Sequence, residues 1–300
     1  MRILVLSNRS LAGATDGPQE VLEQFLSDKI FDYVNLCSLN SSLSRQFFYS
    51  IIMILKIIFD RKIKILSYEH FVFFPYQSTP VCLLLLLKLL GRKVSVVGYD
   101  SFFRNYKLLQ SRRIGFKNKI KNRLLIIHYY VIESTISKMA DEIYLVSRQC
   151  ISHSNYYFKT GNYMLFNVNP IAELPKSEAH KVDEAAADIF GPFISDYDIY
   201  DLACTIAKVK NLGLEPHQIA LFGKGASSVM PELPFHSRVE WVEEFEDFHR
   251  ARRHLAIINR GPCAGVSTRA QKLIRLGRSV YVKKDVDVGS EYTTFVKGFL

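Results

Sequence analysis

The chain has 300 residues, 48% of them hydrophobic and 23% charged, the balance of a globular protein too long for a single hydrophobic core of ordinary size. Its formal net charge of +10 at pH 7 calls for an anionic partner: nucleic acid, an acidic membrane or phosphorylated ligands. The cysteines Cys37, Cys82, Cys150, Cys204 and Cys263 are scattered without a CxxC pair, which argues against a disulfide framework or a zinc knuckle and for reduced thiols in a cytosol.

In chain order, "RILVLS" reads as a strand whose apolar part is too short for a signal peptide. A loop containing Gly13 and Gly17 follows, and Pro18 starts the helix "QEVLEQFLSDK". After the strand "DYVNLCSL" comes an apolar run from Phe47 to Phe59, and a second lies at Val81 to Leu90. Both fall short of the roughly 20 residues of a spanning helix and both contain a lysine. They read as helices packed on a sheet, with contact in the plane of a membrane as the alternative. Gly91 stops the second run, "KIKILSYEH" reads as a strand ending at His70, and "KVSVVGYD" as a strand ending at Asp100.

The next segment is strongly basic. Arg104, Lys107, Arg112, Arg113, Lys117, Lys119, Lys121 and Arg123 stand between Ser101 and Ile132 with no acidic residue among them. Phe116, Ile120, Leu124, Ile127 and Val131 recur there at steps of three and four, one apolar face of a helix. Two accounts of it stand: a basic amphipathic helix on an anionic membrane, or a helix with its stripe in the core and its charges in water. Nucleic acid is not expected, because no recognised binding motif or stacking platform is present.

The strand "EIYLVS" closes the first half, and "NPIAELPKSEAHKVDEAAA" reads as a linker. The rhythm then resumes with the strand and turn "ADIFGPF", a helix near Ile199 to Leu212, the strand and loop "QIALFGKG", "RVEWVEEF", a helix near Phe245 to Arg253, and the strand "LAIINRG". Strands alternating with helices imply parallel pairing in sheets covered on both faces. The expected fold class is therefore α/β, with doubly wound domains at 1–168 and 187–300 that bind ligand at the carboxyl ends of their strands.

On this order of elements and on short motifs the chain resembles the group 1 glycosyltransferases of the GT-B fold, two Rossmann-like domains facing each other. "IESTISKMADEIYLVSRQC" is similar to the family's Glu-bearing helix, Ala-Asp pair and strand ending in Ser. "LFNVNP", "ALFGKG" and "RVEWVEEFEDFHRARRHLAIINRG" resemble the elements that close the first domain and build the second. The resemblance implies a nucleotide-sugar donor on the second domain and a glycan or lipid-linked acceptor on the first. It implies a cytoplasmic protein, peripheral at the inner face of a membrane, and neither metal nor cofactor. The family often places two glutamates around the donor loop, and those positions fall here on Ala264 and Lys272. The chain also ends at Leu300, soon after "DVDVGSEYTTF", where family members continue with further helices, so a short variant or an incomplete copy is expected. A catalytically inactive scaffold with the same fold is the alternative reading.

Candidate site residues follow. In "CAGVSTRAQKLIRLG", Gly265 allows close backbone approach to a diphosphate and the amides of the next helix point at it. Arg269 offers a bidentate fork, and Lys272 holds phosphate but cannot accept ribose hydroxyl protons as a glutamate does. Gly223, Lys224 and Gly225 form a second loop bordering the phosphates, and Gly13 lies in a first loop that faces the donor in this family. Asp100 and His70, each at the end of its strand, are the candidates to orient or deprotonate the acceptor hydroxyl. For each of these residues an ordinary turn, cap or solvated face is the competing account.

Overall fold

A computed structural model of the chain describes residues 2–7, 17–35, 67–76, 79–109, 116–168, 183–191, 193, 196–211, 219–223, 225–229, 240–242, 253–258, 267–275, 277–278, 280–282 and 286–298. The chain divides into two compact units, Met1–Val168 and Asn169–Leu300. The apolar run Phe47 to Phe59, the Gly13 loop, Lys224, Ala264 and Gly265 lie outside the described residues.

The first unit is built on β1 (Ile3–Ser7), β2 (Phe31–Asn35), β3 (His70–Phe74), β4 (Lys93–Gly98), β5 (Glu142–Leu145) and β6 (Tyr163–Leu165). They pair in the order β2-β1-β3-β4-β5-β6, and every described pairing is parallel. β1 and β3 are buried at every position, as strands covered on both faces must be. The helices are α1 (Gly17–Leu26), α2 (Val81–Leu89), α3 (Phe102–Leu109), α4 (Phe116–Met139) and α5 (Arg148–Tyr157). α2 buries Leu83, Leu84 and Leu87, and it ends at Gly91, whose φ of 66° suits a residue without Cβ. Ser147 opens α5 by accepting from the amides of Gln149 and Cys150.

The second unit carries β7 (Asp183–Phe190), β8 (Ile219–Phe222), β9 (Glu240–Val242), β10 (Arg253–Ile258), β11 (Val280–Val282) and β12 (Val296–Gly298). Their order is β12-β11-β10-β7-β8-β9, again parallel in the described pairings. α6 (Asp196–Asn211), the single turn α7 (Ala226–Val229) and α8 (Thr268–Arg275) accompany them. One core cluster joins Ile189, Leu202, Ile206, Ile219, Leu221 and Ile257, and a second joins Phe190, Phe222, Leu273, Ile274 and Tyr292.

Three boundaries differ from the sequence reading. β3 begins at His70 instead of ending there, because Phe71, Phe73 and Phe74 are the side chains that fill the core. Asp183 to Ala187, read as linker, are the first residues of β7, held by pairing with β10. Arg253, read as the end of a helix, opens β10 opposite Asp183. In each case long-range pairing decided what the local composition did not.

Each sheet reverses its direction of winding once. In the first, the chain goes from β1 out to β2 and returns to β1's other side for β3; in the second, it goes from β7 out to β9 and returns beside β7 for β10. The carboxyl ends of β1/β3 and of β7/β10 are therefore the crevices where such folds take ligands.

The two sides of α2 supply a stability test. Leu84→Ala removes a side chain that is 0% exposed and lowers urea-unfolding stability by about 2–5 kcal/mol, whereas Leu89→Ala, at 85% exposure, changes it by no more than about 0.5 kcal/mol.

Candidate functional site

At the carboxyl edge of the first sheet, β4 ends at Gly98, where a Cβ would meet the ring of the buried Tyr76. Asp100 follows two residues later and is 4% exposed. Its Oδ1 accepts from the amide of Ser101 at 2.8 Å and its Oδ2 from the Asn105 side-chain amide at 2.7 Å. Beside it, Glu133 reaches over from α4 to the start of α3. One oxygen accepts from the Phe103 amide at 2.9 Å and the other from the Ser101 hydroxyl at 2.9 Å. Burial pushes the Glu133 carboxyl up to about 7; these hydrogen bonds hold it down, and the Asp100 charge adds to the rise. The grip of Glu133 on the α3 N-terminus is a structural task that also fixes Asp100.

His70 sits at the other end of the sheet. It pairs with Lys93, the first residue of β4, while Asp100 lies seven residues further on, about 23 Å along an extended chain. His70 is 7% exposed, its Nε2 lies 2.7 Å from the Ser95 hydroxyl, and that hydroxyl donates to Glu142 at 2.8 Å. Burial lowers its pKa, followed by the Lys93 charge. The structure does not bring His70 and Asp100 together.

Around Asp100 the rings form a continuous row. Phe74 approaches Tyr99 at 6.1 Å, Tyr99 approaches Phe102 at 6.3 Å, and Phe102 meets Tyr129 edge-on at 5.2 Å. Tyr106 and Tyr129 stack at 5.3 Å. On the other side of α3, Arg104 donates to the Gln149 side chain, and burial with the Arg104 and Lys107 charges drives His153 down to about 4. Among the described residues no cluster of His, Cys, Asp and Glu is placed to hold a metal ion.

In the second unit, Gly191 follows β7 and Gly223 follows β8. A Cβ on Gly223 would stand 3.2 Å from the Gly191 carbonyl oxygen, and Gly223 and Gly225 take φ of 132° and 87°. Gly191 and Gly223 are both buried: the Phe193 ring stands where a Gly191 Cβ would be and the Gly191 carbonyl beside where a Gly223 Cβ would be, so packing requires glycine at both, while Gly225 is partly exposed at the carboxyl edge. α8 returns from β10 to β11, so its N-terminus lies at the same edge. Ser267 caps it, accepting from the Ala270 amide at 3.3 Å. Arg269 stands in its first turn, where no acidic residue is present, and it and Lys272 are half-buried. A cation at the positive end of a helix works against the helix dipole and raises the local positive potential.

Two residues were missed by the sequence reading. Gly191 was read as part of a turn; only pairing of β7 with β8 brings it beside Gly223. Asp287 lies 20 residues beyond Ser267, yet its carbonyl accepts from the Ser267 amide at 2.8 Å, and its carboxylate accepts from the Gly289 amide at 2.8 Å. Gln271 fastens the same segment by donating to the Val288 carbonyl at 3.0 Å. A carboxylate-bearing residue is thereby joined to the cap of α8, from a segment that spacing around the donor loop does not reveal.

No family model and no curated protein sequence matches the chain. Solved structures do. A UDP-forming α,α-trehalose-phosphate synthase from Burkholderia xenovorans, in complex with glucose-6-phosphate, superposes with a TM-score of 0.63 at 7% identity, covering 99% of this chain and 88% of that one. HepE of Anabaena in complex with UDP-glucose gives 0.58 at 11%, covering 99% and 85%. A UDP-GlcNAc 2-epimerase of Methanocaldococcus jannaschii, with UDP-GlcNAc and UDP, gives 0.50 at 12%, covering 99% and 89%. The chain has the GT-B fold. At these identities the likeness is one of fold, shared by transferases and epimerases alike.

The GT-B first unit depends here on Glu133, and its titration is measurable. Its folded pKa of about 7 stands above its ordinary value of 4.5, so the folded chain holds the proton more tightly. The stability this confers is complete below about 4.5 and is lost as pH rises through about 7. The wild type therefore loses stability relative to Glu133→Gln across that window, read by urea unfolding of both proteins at each pH. A difference that stays constant with pH would contradict the assignment.

Proposed function

We propose that the chain is a nucleotide-sugar-dependent glycosyltransferase. In this reading the second unit holds the nucleoside diphosphate and the first presents a lipid-linked or surface-polysaccharide acceptor. The observation that carries it is the carboxyl edge of the second sheet: a glycine turn at Gly223 and Gly225, both at positive φ, together with the start of α8, which carries Arg269 and no acidic residue in its first turn. A helix N-terminus and a guanidinium both favour a diphosphate, whose charge grows as the sugar leaves. Lys224 and Gly265 belong to the loops of this site by sequence, and Gly13 to the loop after β1.

On the acceptor side, Asp100 orients the attacking hydroxyl. Its two oxygens already receive hydrogen bonds, but each carboxylate oxygen has two lone pairs, so a third donor is chemically allowed. His70 has no part in this step, because it lies at the opposite end of β3 and β4. The acceptor is reached at the inner face of an anionic membrane, for which the net charge of +10 and the exposed Lys119, Lys121 and Arg123 supply the attraction.

Lys272 favours a second reading, a GT-B-fold binding or scaffold protein that no longer transfers. An ammonium there holds phosphate but does not accept from ribose hydroxyls.

Thermal unfolding against a panel of nucleotides and nucleotide sugars decides between ligand binding and its absence. A donor at 100 times its dissociation constant stabilises by about 2.7 kcal/mol. Arg269→Ala is expected to weaken nucleoside diphosphate binding by about tenfold or more and Lys272→Ala by less. Asp100→Asn is expected to retain donor binding and lose about a hundredfold in turnover. Binding without turnover in the wild type would favour the scaffold; no stabilisation by any member of the panel would remove the donor site.

A further inference from the structure

α4 has two distinct sides. One packs inward, with Asn122, Glu133 and Ile136 buried and Tyr129 against Phe102 and Tyr106. At about 100° per residue, Ile120, Leu124, Ile127 and Val131 fall together on the opposite side. They are not covered: their exposures are 44%, 56%, 60% and 54%. The stripe runs for about 16 Å along the helix.

Its surroundings are specific. Lys119, Lys121 and Arg123 are exposed on its flanks. Tyr130, 44% exposed, meets Phe103 at 5.4 Å, and Phe103 meets Tyr157 at 5.1 Å. The Lys107 ammonium lies 4.3 Å over the Tyr157 ring, and the neighbouring Tyr156 is 72% exposed. No acidic residue occurs between Ser101 and Ile132.

A second copy of the chain brought onto this face would oppose like charges. An anionic leaflet accommodates every part of it: apolar side chains at the acyl boundary, ammonium groups at the headgroups and tyrosines at the level between. α4 is not apolar enough to cross a membrane, so a membrane contact of this helix lies in the surface plane.

We propose that α4 docks the protein on an anionic leaflet by embedding Ile120, Leu124, Ile127 and Val131, with Lys107, Lys119, Lys121 and Arg123 at the headgroups. The inference rests on the membrane attachment of the proposed function and adds its face and its mode. Charge alone makes an adsorption that salt removes; an embedded stripe leaves a part that salt does not.

The test is co-sedimentation of the full chain with phosphatidylglycerol–phosphatidylcholine vesicles and with phosphatidylcholine vesicles, at low and high salt. Leu124→Gln with Ile127→Gln alters only exposed positions. It is expected to lower partitioning about tenfold or more at both salt concentrations. Lys119→Gln with Lys121→Gln and Arg123→Gln is expected to lower it at low salt and to remove the preference for phosphatidylglycerol. Circular dichroism and nucleotide-induced stabilisation report folding and the donor site separately. Wild-type partitioning by the double variant, with release by the triple variant, would overturn the embedded stripe and leave charge adsorption. No vesicle binding by the wild type would overturn both attachment and stripe while leaving the transferase reading to its own assay. A dimer abolished by the double variant, without vesicle binding, would assign the face to a second copy instead.

Discussion

Glu133 reaches from α4 to accept hydrogen bonds from the Phe103 amide and the Ser101 hydroxyl, and the arrangement of the first unit depends on that contact. The start of a helix leaves amides without intrahelical partners, and at this buried edge water does not reach them. A carboxylate supplied by the neighbouring helix satisfies one amide, binds the cap hydroxyl and complements the helix dipole in a single contact. Desolvation raises its pKa, so the group is kept where its charge is costly because the alternative is an unsatisfied helix end. Asp100 is held in the same cluster: it precedes Ser101 and is tied to α3 through Asn105.

The same contact decides which way α4 faces. Glu133, Asn122 and Tyr129 share its inward side, and Asn122 donates to the Tyr106 carbonyl at 3.0 Å. A polar inward side satisfied by α3 frees the most apolar positions of the helix to point outward. The core-facing polar contacts at the carboxyl edge of the first sheet and the exposed stripe are therefore two consequences of one helix orientation.

Much of this was legible in the residues. Strands buried on both faces are continuous Val, Ile and Leu runs, so β1, β4 and β8 were read close to where they lie, and Gly91 marked the end of α2. What local pattern could not supply was the partner. "KIKILSYEH" looks more like a strand than "HFVFF" until pairing with β1 and β4 places the three phenylalanines in the core, and with them His70 at the far edge from Asp100. The apolar stripe of α4 was visible, but a period gives a face and not its direction; the deciding residues are the polar ones opposite. Asp287 was illegible in principle, since its approach to Ser267 depends on how the segment after β11 folds back over α8.

The account's central claim is that the second unit binds a nucleotide sugar at the carboxyl edge of its sheet. Photolabelling with an azido derivative of UDP-glucose, followed by peptide mapping, tests it most directly. The account predicts UDP-competable labelling of peptides that contain Gly223 to Val229 or Thr268 to Arg275. Labelling confined to the first unit, or labelling that UDP does not compete, would contradict it.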